Sequence, residues 1–62
     1  MIPDRRPIRQ RLTSFYTAIE IELWLYRPNP QLWTLAPYQL IDVGRAEEVH
    51  QLIDRLDAAA YI

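Results

Sequence analysis

Apolar residues recur along the first third of the chain at helical spacing. Ile8, Leu12, Phe15, Ile19, Leu23 and Tyr26 follow one another at intervals of three and four, which predicts one long helix carrying one stripe, widened by Tyr16 and Trp24. Pro7 suits the first helical position. Pro28 closes the pattern, because the residue before a proline is pushed out of helical geometry. The run "IEIELWLY" has a hint of alternation at Ile19–Glu22, but the length of the stripe and the lack of turn residues favour a helix. After it comes "RPNPQLW", a rigid proline corner. A short helix is then expected from Pro37 to about Val43, with Ala36 before it, a poor N-cap. Gly44, the only glycine, is placed to close that helix in a left-handed conformation. A third helix should run from Arg45 or Ala46 to about Ala58. Val49, Leu52, Ile53 and Leu56 form its buried stripe, and Glu47, Glu48, Asp54 and Asp57 form its wet side. Glu47 and Glu48 sit where the helix dipole favours negative charge.

The expected fold is therefore all-α. A long first helix leads to a Pro-rich corner, and a short helix and a third helix pack back as a small helical hairpin. The 62 residues make one small helical domain, residues 1–62, of which residues 1–6 are a basic N-terminal tail. A chain this short buries only about 60% of the surface its unfolded form exposes, and small scaffolds usually rely on disulfides, a metal or association. Cysteine is absent, and the single histidine, His50, has no second ligand at a recognisable spacing, so neither a disulfide nor a metal site is expected. Association is left as the support, and homo-oligomerisation is one form of it. No apolar run approaches the ~18 residues a membrane span requires, and no signal-peptide pattern opens the chain. A cytoplasmic protein that does not enter a membrane is expected.

Charge changes the picture only by its distribution. Arg5, Arg6, Arg9 and Arg11 crowd the first 19 residues against Asp4 alone, while the remainder carries seven acids against three arginines, and lysine is absent. The arginines would attract phosphate, but no recognition helix or stacking aromatic accompanies them, so direct DNA binding is not the favoured reading. The other reading is a solvated tail, or one that docks on the acidic part of a second copy. Arg9 and Arg11 fall in the first turn of their helix, against the dipole, which calls for an earlier helix start or for negative charge from elsewhere.

No catalytic constellation is present. His50 lies at the edge of the third helix's apolar face and reads as a surface or boundary residue, since no nucleophile motif accompanies it. One glycine cannot make a phosphate loop. Glu20 and Glu22 lie on different helix faces, and Glu47 and Glu48 are adjacent without converging. An enzyme and a cofactor are both unexpected. Aromatic residues and arginine, by contrast, are the common anchors of protein interfaces. Trp24 reads as core. Trp33 lies beyond the helical stripe, in the irregular segment, where packing alone does not explain it. Tyr61 and Ile62 form an apolar chain end that either folds back onto Phe15 and Trp24 or meets a pocket elsewhere.

The sequence from Trp24 to Ile62 also resembles the toxin-binding domain of the Xre/MbcA/ParS antitoxins. The positions that carry the resemblance are Pro28-Asn29-Pro30, Leu32, Pro37, Leu40-Ile41, Gly44, Val49, Leu52-Ile53, Leu56 and Tyr61, in order and without a gap. The similar region spans residues 20–62, with Arg9–Ile19 matching the preceding helix. The resemblance implies a protein partner, a RES-domain toxin that consumes or transfers from NAD and is silenced when the antitoxin's C-terminal part blocks its active-site cleft. It makes Tyr61 and Ile62 the inserted end, Arg55 and Asp57 the polar flanks and Trp33 an anchor. The chain departs from the family pattern in four places. The N-terminal helix-turn-helix domain has no room here, the linker glycines read Trp33-Thr34, the threonine N-cap is Ala36, and the late glycine is Ala59. A reading from another class is a free-standing helical oligomerisation or interaction module, or part of a transcriptional regulator.

Overall fold

The computed structural model describes residues 2–59. Among them the fold is all-α, with four helices in the order α1 (Ile8–Leu12), α2 (Ala18–Tyr26), α3 (Pro37–Asp42) and α4 (Ala46–Ala59), and a 3-10 turn over Pro30–Leu32.

The single long first helix expected from the stripe is two helices. Thr13 ends α1: its backbone N–H donates to the Gln10 carbonyl at 3.2 Å and its hydroxyl to the same oxygen at 2.5 Å. Thr17 then starts α2 with a capping box. Its Oγ1 accepts the Glu20 N–H at 3.4 Å, and Glu20 Oε1 accepts the Thr17 N–H at 2.9 Å. Two orphan donors are satisfied reciprocally, which makes a fresh helix start more favourable than continuing the old one.

The break also resets which face is buried. In α2 the core takes Ile21 and Leu25, while Ile19, Leu23 and Tyr26, expected on the buried stripe, face solvent. Arg27 turns extended ahead of Pro28, as the proline demands.

α3 starts on Pro37 after Ala36, which lacks a capping side chain; instead Gln39 reaches back to accept the Ala36 N–H at 2.8 Å. Gly44 closes α3 at φ +79°. The Gly44 N–H donates to Ile41 O at 3.2 Å and the Arg45 N–H to Leu40 O at 2.8 Å, the paired bonds of a Schellman close.

α4 is the central strut, touching α1, α3 and the 3-10 turn, while α2 packs on α3. Its Val49, Leu52 and Ile53 meet Leu12, Leu25, Leu32 and Leu40 in one buried cluster. Leu56 is half-buried, and Trp24 packs against the cluster from its edge. No described helix is long and apolar enough to cross a membrane.

Candidate interaction site

The proline corner builds the first candidate surface. Asn29 Oδ1 accepts the Gln31 N–H at 2.9 Å and caps the 3-10 turn, whose Leu32 is driven into the core. The next two residues are both left-handed, Trp33 at φ 56° and Thr34 at φ 61°. Side chains with a Cβ are disfavoured there by roughly 1–2 kcal/mol each. Backbone bonds hold the pair in place: Thr34 N–H to Asn29 O at 3.0 Å, Leu35 N–H to Leu32 O at 2.9 Å and Asn29 N–H to Leu35 O at 3.0 Å. The outcome is a Trp33 that is 66% exposed. Arg45 lies over its ring, 5.4 Å from the centroid, and forks onto Glu48 Oε1 at 3.0 and 2.7 Å. The indole is thus steered from one side and open on the other. Beside the corner, a groove of about 370 Å³ runs between α2 and the prolines, lined by Tyr16, Leu23, Trp24, Pro28 and Pro30 among others.

The far end of α4 is the second. Arg55 and Asp57 are exposed and make no ion pair among the described residues. Tyr61 and Ile62 lie outside the described residues.

The N-terminal arginines are exposed apart from Arg11, and each is paired within the chain. Arg5 forks onto Glu47 at 2.8 and 2.7 Å and approaches Asp54 at 3.3 Å. Arg6 pairs with Asp4 at 2.7 Å, and Arg9 pairs with Glu22. Arg11 is buried and donates to Asp54 Oδ1 at 2.6 Å, to His50 Nδ1 at 2.9 Å and to the His50 carbonyl at 3.3 Å. The acids that compensate these arginines, including the two misplaced against the α1 dipole, come from the same chain. A phosphate backbone would meet four arginines already paired.

His50 is buried, not a boundary residue. A guanidinium only donates, so the His50 Nδ1 facing Arg11 is the acceptor and the ring proton sits on Nε2. Burial, and then the charges of Arg11 and Arg5, push its pKa below the ordinary 6.5. Arg11 holds the Asp54 carboxyl below its usual range by hydrogen bonding, and Arg5 does the same to Glu47. This Arg11–His50–Asp54 network was missed by reasoning from sequence, because its members are 39 and 43 residues apart. It is a structural tie between α1 and α4. His50 also lines a groove of about 450 Å³ with Ile8, Leu25, Tyr26, Tyr38 and Ile41, where Tyr26 and Tyr38 meet at 4.9 Å between centroids. No group of three or more potential metal ligands occurs among the described residues.

Comparison with known protein families, with curated proteins and with solved structures returned no match for this chain.

Proposed function

We propose that this chain is a non-catalytic protein-binding module of the toxin-neutralising kind, which binds a RES-domain toxin and occludes its NAD cleft. The observation that carries the reading is the corner at Trp33-Thr34. Two consecutive residues with side chains adopt the left-handed conformation at the point where the antitoxin linker holds glycines. The strain maintains an exposed tryptophan that the core does not use. Backbone strain concentrates where recognition needs a fixed geometry, and tryptophan is a common anchor of interfaces. The order of corner, α3, Gly44 turn and α4 also follows the antitoxin pattern.

In this reading Tyr61 and Ile62 enter the cleft, Arg55 and Asp57 contact its polar rim, and Trp33 anchors the corner. The chain needs no cofactor of its own and acts in the cytoplasm, where the toxin meets NAD. The test is to titrate the chain into a purified RES-domain toxin encoded beside it and to follow NAD loss. Stoichiometric inhibition is expected. It should be sharply weakened by deletion of Tyr61 and Ile62, and separately by Trp33→Ala. Undiminished NAD loss in the presence of the folded chain would overturn the proposal.

A further inference from the structure

α2 is apolar on two sides; one is buried in the core, and the other is covered only where Tyr26 meets the ring of Tyr38. At about 100° per residue, Ile19, Leu23 and Tyr26 share one face, opposite the buried Ile21 and Leu25. They are 75%, 45% and 54% exposed. A helix apolar all round is normally covered all round.

The borders of this strip say what fits it. On one side lie Glu20, near the start of the helix, and Arg27, just past its end. Arg27 has no ion-pair partner among the described residues. On the other side lies Glu22, already paired with Arg9. That side also holds an open groove of about 420 Å³ lined by Arg9, Gln10, Thr13, Ala18, Ile21 and Glu22.

A second α2 laid antiparallel across the strip, with the twofold axis at Leu23, satisfies all of these features together. A twofold contact is self-complementary, so each feature must find its match in the other copy. Residue 19 of one copy then faces residues 26 and 27 of the other. Arg27 reaches the Glu20 carboxylate of the second copy. Tyr26, which leans to the groove side of the strip, meets the groove beside Ala18 and Glu22. The two Glu22 side chains approach each other with their own Arg9 guanidiniums between them, so no like charges are left uncompensated. We infer that the outer face of α2 is a homodimer interface, in which Leu23 packs on Leu23 and Tyr26 seats in the groove of the opposite copy. This rests on α2 alone and stands or falls independently of any toxin.

Sedimentation across a concentration series tests it. The unaltered chain should shift from monomer to dimer mass. Leu23→Arg should lose at least about 30-fold in association, the scale of a central interface residue, with its helical circular dichroism unchanged because Leu23 is exposed and stands outside the buried core. Arg27→Glu should weaken the dimer by repulsion from Glu20. The chain has no cysteine, so Leu23→Cys gives a clean second readout. Under mild oxidation it should form a disulfide-linked dimer much faster than Gln51→Cys, a control on the exposed side of α4. A chain that stays monomeric to millimolar concentration, with both cysteine variants cross-linking equally slowly, overturns the inference. So does a dimer indifferent to Leu23→Arg and Arg27→Glu, which would use another face. A monomer whose Leu23→Arg variant loses toxin affinity also overturns it, and assigns the face to the toxin.

Discussion

Along α4, the acids that face the N-terminal segment are matched by arginines of the same chain; along the outer face of α2, Ile19, Leu23 and Tyr26 stay largely exposed, and Tyr26 meets only the ring of Tyr38 at its edge. The first region neutralises charge internally, through Arg5 on Glu47 and Arg11 on Asp54 and His50. The second leaves hydrophobic area uncovered. The difference bears on recognition. The N-terminal arginines already hold carboxylates of their own chain, whereas the surface that α2 leaves uncovered is apolar. The same difference bears on stability, since the α1–α4 tie is an internal staple in a chain without disulfides, and the α2 face is where further stability would come from a partner.

The comparison can be broken most strongly at Asp54. Asp54→Ala leaves the buried Arg11 guanidinium without its closest carboxylate, and stripping a buried charge of its partner is the costly case. A loss of about 2 kcal/mol in urea unfolding is expected, below the range of a fully buried pair because Asp54 itself is 43% exposed and Asp4 remains 3.7 Å from Arg11. Arg11→Met removes the buried charge itself and keeps an apolar stem, so it should cost clearly less. Equal losses would mean that α1 and α4 are held by packing and not by the ion pair.

Thr17→Ala tests whether the capping box is what turns the α2 strip outward. The loss of a threonine cap costs about 1 kcal/mol, read as a lower thermal midpoint. A midpoint left unchanged would assign the break to Thr13 and Ser14 alone.

This break is also where the sequence was hardest to read. The apolar spacing runs unbroken from Ile8 to Tyr26, so periodicity alone continues the helix and buries Ile19 and Leu23. The contrary signal is local and short: Thr17 followed three residues later by Glu20, ahead of an apolar run. α3, the Gly44 close and α4 were legible because each rests on near-neighbour chemistry, a proline start, a sole glycine and an amphipathic stripe. The arginine network was not, since Arg5 meets Glu47 across 42 positions and only the tertiary fold joins them. Trp33 was legible as a residue the helices did not need, but its left-handed backbone was not, because only glycine or asparagine would have announced it.

The corner offers a smaller effect, of opposite sign. Thr34→Gly relieves a β-branched residue held at φ 61°, and the gain is reduced by the extra freedom glycine adds to the unfolded chain. A net stabilisation of about 0.5–1 kcal/mol is expected, raising the thermal midpoint by a few degrees. Toxin inhibition should meanwhile fall if the strain serves to hold Trp33. A rise in midpoint with inhibition intact would separate the strain from binding.

The smallest effect lies in the pH dependence of the α1–α4 tie. His50 is held neutral in the fold, with a pKa below 6.5, while in the unfolded chain it titrates at its ordinary value. Below pH 6.5 the unfolded state therefore binds more protons than the folded one, and stability falls as the pH drops toward the folded pKa. Asp54 and Glu47, also depressed, act in the same direction but only as the pH falls through 4.5 and below, into the ordinary carboxylate range. Two windows are thus expected in urea unfolding followed against pH, an upper one from His50 and a lower one from the carboxylates. His50→Gln keeps an oxygen that can accept from Arg11 and removes the titrating ring, so it should flatten the slope that begins below pH 6.5 and leave the acid limb in place. A slope unchanged by His50→Gln would mean that the ring is as easily protonated in the fold as outside it, and that the tie depends on Asp54 alone.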